Sequence, residues 1–472
     1  MLNSLKDHPI LPVLDAIKSM GGSAYFVGGS VRDRLISLHH PYINAESKDL
    51  DVEVYGLPAE QLKTVLSNYG TLSECGQSFA VMKLDIKGEV IDFSLPRKDS
   101  KVAEGHKGFV VDYDPHMDPK DAARRRNFTV NSAMINAHTG ELFDFYGASR
   151  DVIRGILRPV CVSHYHEDAL RNLIGLQQAV RFGFEISSSL PDKRVFGIAM
   201  NDFHALSDER IWTEWRKLFS KGKYFGVFFQ SLEALHLTSE YPELAALIRL
   251  PQDPEWHPEG SADIHSELAA SWMADYCDKN GISGQDRIVM VAAALLHDIG
   301  KPLVTAKHED GHIRSTKHDK VAVENEHSPA ITLMNRMRMP PELQKRIIPL
   351  IREHMVLIGA DIRPTLVRRL SARLSPATVA ELDAVIQADH ASRPPLDDEH
   401  PFPDLMRVAE ELKVTASAPA PILMGRHLIS AGVKPGPKMG EMLKRAYEAQ
   451  LDGDVVDISS GLALLGLTGG AS

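Results

Sequence analysis

Residues 25–33 read YFVGGSVRD, an apolar strand-like run that ends in two glycines and opens into a helix-like segment. Residues 48–54 follow as KDLDVEV, which is again strand-like. Side chains at positions i and i+2 of a strand point to the same face, so Asp49 and Asp51 would lie side by side. Paired carboxylates can hold divalent cations, and a glycine turn before a helix lets phosphate groups approach the backbone. The two stretches together predict a site for nucleotidyl transfer.

A third carboxylate lies in a later strand-like run, VIDFS, at residues 90–94. Asp92 shares a face of that run with Val90 and Ser94. If its strand neighbours the first one, Asp92 would lie beside the paired aspartates. The alternative is an aspartate of an edge strand that faces water.

The chain has 472 residues, 43% of them hydrophobic and 25% charged, which predicts a soluble protein of two or more domains. No apolar run is long enough to cross a bilayer, and the N-terminus lacks the order of a secretory signal. The three cysteines are far apart in the sequence, which predicts a reduced, cytoplasmic protein. The net charge of −10 counts against nucleic acid as a partner, but basic clusters such as residues 124–126 leave that question open.

Strand-like and helix-like runs alternate to about residue 160, and from His166 onward the pattern is almost wholly helical. Proline-rich breaks at residues 251–254 and 393–403 indicate further boundaries. The prediction is an α+β fold with four segments, at residues 1–160, 161–250, 251–395 and 396–472.

Several motifs in the first half of the chain occur in a recognisable order. GGSVRD and KDLDVEVYG are followed by GQSF at residues 76–79, RRNFTVNS at 125–132 and EDALR at 167–171. In these motifs the chain resembles the class II tRNA nucleotidyltransferases and the related bacterial poly(A) polymerases. It departs from them at Ile174 and Gln177, where arginine is common, and at Asn127, where aspartate is usual.

The resemblance implies a polymerase beta-like nucleotidyltransferase head in the first segment and a helical, base-reading neck in the second. It implies that Asp49 and Asp51 bind Mg²⁺ and that Asp92 is also catalytic. The residues that would bind the nucleotide are Gly28, Gly29, Arg32, Asp121, Arg125, Arg126, Asn131, Asp168 and Arg171.

Physical chemistry gives several of these residues a role. Arg125 and Arg126 offer rigid forks for the β and γ phosphates, although alone they would indicate a solvated basic face. Asp168 and Arg171, three residues apart on a helix, can imitate a base-pairing edge, although an ordinary helical ion pair has the same spacing. In the neck helix, at residues 209–217, Arg210 and Glu214 are expected to pair as scaffold.

The second half contains an apolar helix that ends in LLHDIGK, at residues 295–301. The adjacent histidine and aspartate resemble those of the HD phosphohydrolase superfamily. The resemblance implies a metal site made of His265, His297, Asp298 and Asp389, with His327 and His354 as the extra histidines of two-metal members. Imidazole and carboxylate ligands suit a divalent transition metal such as Ni²⁺, Mn²⁺ or Co²⁺. The last segment resembles the C-terminal part of the same nucleotidyltransferases and could contact tRNA.

The sequence therefore predicts an enzyme that adds CCA to the 3′ end of tRNA from CTP and ATP, with a second, HD phosphohydrolase activity. The closest alternative is a poly(A) polymerase, or an enzyme that adds only A or only CC. Poly(A) polymerases tend to carry GRRF where this chain has GQSF, which favours the tRNA enzyme. An alternative of another class is an HD phosphohydrolase whose head only binds RNA.

Overall fold

The computed structural model describes residues 7–43, 45, 50–75, 81–101, 109–165, 168–188, 203–395 and 399–467. The chain divides into two compact units, Met1–Ser239 and Glu240–Ser472. Strands and helices mix in the first unit, whereas the second is mostly helical. The predicted α+β fold is thereby confirmed, and the finer division into four segments stays a prediction.

The framework of the first unit is a seven-stranded sheet. Its strands are β1 (Ser23–Val27), β2 (Asp51–Tyr55), β3 (Thr71–Cys75), β4 (Val81–Ile86), β5 (Glu89–Ser94), β8 (Met134–Asn136) and β9 (Leu142–Phe143). They lie in the order β3-β4-β5-β2-β1-β8-β9, with β2 and β5 parallel and β1 antiparallel to both of its neighbours. Outside this sheet, β6 (Arg97–Lys101) pairs with β7 (Phe109–Tyr113), and β10 (Ile156–Leu157) pairs with β11 (Glu185–Ile186).

Helices surround this sheet. They are α1 (Leu11–Ser19), α2 (Gly29–His39), α3 (Ala59–Leu66), α4 (Pro119–Arg124), α5 (Ala148–Arg154), α6 (Val162–Tyr165), α7 (Leu170–Phe182), α8 (Asp208–Lys221) and α9 (Phe228–Ala234).

The alternation of side chains along β2 decides which face of the sheet carries polar groups. Val52 and Val54 are fully buried and share a core cluster with Phe26 of β1. Because strand side chains alternate, Asp51 and Glu53 lie on the opposite face. The apolar face of β2 thus anchors the strand, and the other face is available for chemistry.

The second unit is built from helices and one small hairpin. The helices are α10 (Pro242–Ala245), α11 (Ala262–Lys279), α12 (Gly284–Leu296), α13 (Lys301–Val304), α14 (His318–Val321), α15 (Pro329–Arg336), α16 (Pro341–Glu353), α17 (Pro364–Leu374), α18 (Val379–Ala391), α19 (Pro403–Glu411), α20 (Gly425–Ser430), α21 (Pro437–Asp452) and α22 (Ile458–Leu464). The hairpin pairs β12 (Thr305–Lys307) with β13 (Ile313–Ser315).

Helix α12 is the centre of the second unit. Every residue from Ile288 to Leu296 is buried, as expected for a helix that is apolar on all sides. It packs against α11, α16 and α18. His297 and Asp298 follow its last turn, so they lie in the interior, where these neighbouring helices also present side chains. Within the described part of the chain, no helix is both long enough and apolar enough to cross a membrane.

Candidate functional site

The glycine turn after β1 brings the backbone close to a carboxylate. Gly28 has a φ of +68°, in the left-handed region that residues with side chains rarely adopt. A Cβ atom at this position would lie 3.2 Å from Oδ2 of Asp51. Gly29 then begins α2, whose first backbone amides have no acceptor within the helix. The glycine turn and Asp51 therefore lie at one place.

Two of the three predicted catalytic carboxylates lie on neighbouring strands. Asp51 of β2 is opposite Asp92 of β5 in their parallel pairing. Nζ of Lys83, on β4, lies 3.2 Å from Oδ2 of Asp92 and partly balances its charge. Asp49 lies outside the described residues, as does the GQSF segment. The structure thus brings Asp51 and Asp92 together, and the role of Asp49 stays a prediction.

A buried glutamate that the sequence reasoning missed holds the two predicted arginines. Glu53 is only 1% exposed. Its carboxylate accepts hydrogen bonds from NH2 of Arg125 at 3.4 Å, from NH2 of Arg126 at 3.2 Å and from the Tyr55 hydroxyl at 2.8 Å. Burial and the charge of Glu53 both raise the pKa of Tyr55, so this hydroxyl stays a donor. The alternation that pairs Asp49 with Asp51 extends to Glu53, and this signal could have identified it.

The two arginines differ in how firmly they are held. NH1 of Arg126 also donates to the backbone carbonyls of residues 131–133, at 3.3–3.4 Å. The side chain of Arg126 is 10% exposed, whereas that of Arg125 is 24% exposed. Arg126 therefore fixes the wall, and Arg125 is the better placed of the two to meet a ligand.

Arg32 and Asn131 form another part of the same wall. NH1 of Arg32 donates to Oδ1 of Asn131 at 3.0 Å, and its NH2 lies 2.6 Å from Oδ1 of Asp33. The Asn131 amide donates to Asn127 at 2.8 Å and to Gln178 at 3.2 Å. Their polar groups are thus engaged within the protein, where they set the shape of the wall.

Asp168 and Arg171, at the start of α7, make separate contacts. Oδ2 of Asp168 accepts from NH2 of Arg210 on α8 at 3.0 Å. Arg171 donates to the carbonyl oxygens of His164 at 2.6 Å and Arg125 at 3.0 Å. The expected pairing of Arg210 with Glu214 is therefore wrong. Because α7 and α8 pack side by side, Asp168, at the start of α7, contacts Arg210, whereas Glu214, one turn along α8 from Arg210, does not.

These groups line one cavity of about 490 Å³. The predicted residues that line it are Gly28, Gly29, Arg32, Asp51, Asp92, Arg125, Arg126, Asn131, Asp168 and Arg171. Of the predicted nucleotide-binding residues in the described part of the chain, only Asp121 does not line it. Asp121 is exposed in the first turn of α4, so the structure does not support it as a ligand contact.

In the second unit, imidazole and carboxylate groups converge beyond the end of α12. Nε2 of His265 lies 3.2 Å from Nε2 of His297 and 3.0 Å from Oδ1 of Asp389. Nε2 of His354 lies 3.1 Å from Nε2 of His318. The predicted residues His265, His297, Asp298, His354 and Asp389 are therefore brought together, with His318 added. We call these six residues the imidazole cluster.

Hydrogen bonds on the far side of each ring fix which nitrogen faces the cluster. Nδ1 of His297, His318 and His354 lies 2.7–2.8 Å from a backbone carbonyl oxygen, and Nδ1 of His265 lies 2.7 Å from Oε1 of Glu259. Each Nδ1 therefore carries the proton, and each Nε2 presents a lone pair to the others. Lone pairs that face one another repel unless a cation lies between them. Ligands about 2.0–2.2 Å from one ion have separations like those seen here, so the residues fit a divalent metal centre.

Asp298 stands between two groups of imidazoles. Its Oδ2 lies 3.3 Å from Nε2 of His297 and 3.5 Å from Nε2 of His265. Its Oδ1 lies 3.0 Å from Nε2 of His318 and 4.0 Å from Nε2 of His354. Burial would raise the pKa of Asp298, but its interactions with His297 and Lys301 hold that pKa well below its usual value. Asp298 thus remains an anion that offers one oxygen to each group.

His318 occupies the place that the sequence assigned to His327. The side chain of His327 is 85% exposed, and its Nε2 lies 3.6 Å from Oε1 of Glu326. It lies between α14 and α15, whereas His318 begins α14, which packs against α16 and so lies beside His354. The prediction for His327 is corrected accordingly. Spacing along the chain did not show that His318, on the short helix α14, lies in the interior while His327 is exposed.

Glu259 is a second functional residue that the sequence reasoning missed. Its buried carboxylate lies 2.7 Å from Nδ1 of His265 and 2.8 Å from Nδ1 of His257. Burial would raise its pKa, but the hydrogen bonds from both imidazoles lower it to about 2. An ionised carboxylate that accepts a hydrogen bond from Nδ1 of a metal-binding histidine fixes the orientation of the imidazole ring and raises its basicity. Its position shortly before His265 in the chain was the available signal.

Comparisons with known proteins identify a known domain family in each unit. Residues 24–158 match the Poly A polymerase head domain family, and residues 262–385 match the HD domain family. The chain is 30% identical over 432 residues to the multifunctional CCA protein of Stenotrophomonas maltophilia, across 89% of this chain and 97% of that protein.

Two solved structures share the fold. The Bacillus stearothermophilus CCA-adding enzyme in complex with CTP has a TM-score of 0.61 at 17% identity, covering 96% of this chain and 95% of that one. The Thermotoga maritima CCA-adding enzyme complexed with tRNA has a TM-score of 0.52 at 17% identity, covering 96% and 94%.

The fold and the two sites define a nucleotidyltransferase head followed by an HD domain. Both kinds of domain generally use divalent metal ions. At 30% identity over almost the full length of its relative, the chain belongs to the family of multifunctional CCA proteins.

Proposed function

We propose that the chain adds C and A to the 3′ end of tRNA from CTP and ATP, and that its HD domain hydrolyses phosphoesters. The observation that carries the first activity is the cavity that Asp51, Asp92, the glycine turn and Arg125 line together. The named activity of the relatives supports it. A cytoplasmic location stays a prediction from the sequence.

The transfer step follows from these groups. The 3′ hydroxyl oxygen of the RNA bonds to the α-phosphorus, the bond from that phosphorus to the bridging oxygen breaks, and pyrophosphate leaves while the hydroxyl proton passes to solvent. Mg²⁺ held by Asp49 and Asp51 would lower the pKa of the hydroxyl and neutralise the leaving oxygen. Arg125 would hold the β and γ phosphates, with Arg126 and Glu53 fixing its position.

Choice of the base belongs to Asp168 and Arg171. A carboxylate acceptor and a guanidinium donor on one edge can match the polar groups of cytosine or adenine. Arg210 fixes the carboxylate, and two backbone carbonyls fix Arg171. Both side chains line the cavity, which supports their role in reading the incoming nucleotide.

The imidazole cluster carries the second proposed activity. A divalent transition metal such as Ni²⁺, Mn²⁺ or Co²⁺ would activate water for attack on phosphorus. His265, His297, Asp298 and Asp389 would hold one ion, and His318 and His354, together with Asp298, would hold a second. The ester bond between phosphorus and the alcohol oxygen breaks, and the alcohol leaves with a proton.

Incorporation of labelled CTP and ATP into tRNA that ends at the discriminator base tests the first activity. CC with CTP alone and CCA with both nucleotides are expected. Long tails with ATP alone would instead make the chain a poly(A) polymerase, the alternative that the Poly A polymerase head match keeps open. Addition of only A or only CC would establish a restricted enzyme.

Two variants test whether the sites act separately. Asp51→Ala should abolish incorporation and spare phosphoester hydrolysis, and His297→Ala should do the reverse. Glu60→Ala on the exposed side of α3 and His327→Ala are matched controls that should change neither. Loss of both activities in either site variant contradicts the two-site proposal, and hydrolysis without any incorporation would leave only an RNA-binding head.

A further inference from the structure

The last turn of α7 contacts Arg32, which lines the cavity of the head, whereas Asp168 and Arg171 lie at the other end of this helix. Cζ of Arg32 is 4.9 Å from the centroid of the Phe182 ring. Phe182 is 1% exposed and belongs to the main core cluster of the first unit. The helix thus presents a fixed, flat surface to the guanidinium of Arg32.

A buried carboxylate joins Arg32 to the same turn of α7. Oδ1 of Asp33 accepts from Nε of Arg32 at 2.7 Å, and its Oδ2 accepts from NH2 of Arg181 at 3.2 Å. Cζ of Arg181 lies 4.6 Å from the centroid of the Phe182 ring. Two cations against one ring repel each other, so the anion that they share holds both in place. The side chains of Asp33 and Arg181 are 3% and 13% exposed, so water screens this interaction little.

Arg32 keeps donors for a ligand although it is held on several sides. Its NH1 donates to Asn131, and its Nε and NH2 contact Asp33. A guanidinium has five N–H groups, and among the described residues these contacts use three of them. Because Arg32 lines the cavity, the other two can meet phosphate oxygens, which CTP and ATP have in common.

We propose that Arg181 is a positioning residue for nucleotidyl transfer, which holds Arg32 toward the bound nucleotide through Asp33 and the Phe182 ring. The inference rests on the proposed transfer activity and adds a residue to it. Arg181 is not itself a lining residue of the cavity, so its effect must pass through Arg32. Without Arg181, the pair of Arg32 and Asp33 loses the partner that fixes it to α7.

Steady-state incorporation by the full chain tests this role, with CTP added to tRNA that ends at the discriminator base and ATP to tRNA that ends in CC. Arg181→Ala should raise KM for both nucleotides about tenfold, the effect of one charged hydrogen bond, and leave kcat nearly unchanged. A contact to phosphate that is made before and during transfer is expressed in KM. Arg181→Lys keeps a cation beside Asp33 and should have an intermediate KM. Arg216→Ala, which removes an exposed arginine of α8, is the matched control and should change neither constant.

A double variant separates positioning from support of the fold. If Arg181 acts through Arg32, the variant with both Arg32→Ala and Arg181→Ala should have the KM of Arg32→Ala alone. Effects that multiply in the double variant would overturn the inference, because the two residues would then act independently. A lower kcat at unchanged KM would also overturn it, because Arg181 would then affect only the fraction of folded enzyme. If Arg181→Ala does not fold, Arg181→Lys takes its place in the same comparison.

The choice of base should not depend on Arg181. Arg181→Ala should discriminate CTP from UTP as the unaltered chain does, because Asp168 and Arg171 keep their contacts. Lost discrimination would overturn the inference, because α7 would then have shifted as a whole. If the unaltered chain incorporates neither nucleotide, the proposed transfer activity fails, and calorimetric titration with CTP and Mg²⁺ decides the inference alone. Weaker binding by Arg181→Ala would support the inference, and equal binding would overturn it.

Discussion

Replacing Glu53 by alanine should destabilise the first unit more than any surface change of the same kind. Glu53 is the carboxylate shared by Arg125 and Arg126, and it also accepts from Tyr55. The variant removes from Arg125 and Arg126 the carboxylate that they share. Removing one partner of a buried ion pair exposes the full cost of burying the other charge.

The structure sets the size of the effect. Breaking a buried pair costs about 3–5 kcal/mol. The separations of 3.4 and 3.2 Å are long for charged hydrogen bonds, and Arg125 keeps some solvent, so about 3 kcal/mol at the low end of that range is expected. For a unit of this size, about 1 kcal/mol lowers Tm by about 2–4 °C, which gives a fall of about 6–12 °C.

Differential scanning calorimetry of the first unit's transition measures this fall. Glu53→Gln keeps the shape and a hydrogen bond and should lose less than Glu53→Ala. Glu60→Ala, on the surface of α3, is the matched control and should stay within about 0.5 kcal/mol of the unaltered chain. If Glu53→Ala and Glu60→Ala have the same Tm, the buried carboxylate contributes no stability and the reasoning is refuted.

Two further predictions concern residues that hold others in place. Arg210→Ala removes the hydrogen-bond partner of Asp168. Discrimination between CTP and UTP in single-nucleotide incorporation should then fall about tenfold, which is the effect of losing one charged hydrogen bond. Unchanged discrimination would show that Asp168 does not need this partner. Glu259→Gln removes the carboxylate behind His265 and should weaken metal binding about 10-fold to 100-fold in a calorimetric titration, with exposed His327→Ala unchanged as the control. Equal affinity in both variants would contradict that role of Glu259.

Much of the head could be predicted because strand geometry is local. The period of two along residues 51–54 identified one polar and one apolar face, and the structure has Val52 and Val54 in the core. Asp51 and Asp92 are neighbours because β5 pairs with β2. The sequence is compatible with this pairing but does not predict it. Glu53 was not predicted because its role is to bind Arg125 and Arg126 rather than a metal ion, and the arginines are distant from it in the sequence.

The errors at Arg210 and His327 involve contacts between elements. Arg210 was assigned to the nearest carboxylate on its own helix, but the packing of α7 on α8 offers Asp168. The sequence analysis named His327, and only the packing of α14 against α16 identifies His318 instead. Spacing in the sequence therefore predicts which types of residue form a site, and the packing of the helices determines which particular residues reach it.

The position of Asp298 has a consequence for how the HD domain responds to metal supply. The carboxylate of Asp298 contacts both groups of imidazoles. A first ion would therefore neutralise part of the negative charge that attracts a second ion. If the proposed centre holds two ions, the second would therefore bind more weakly than the first, and a chelator would remove them in stages. Hydrolysis would follow ambient metal as a graded signal rather than as a switch.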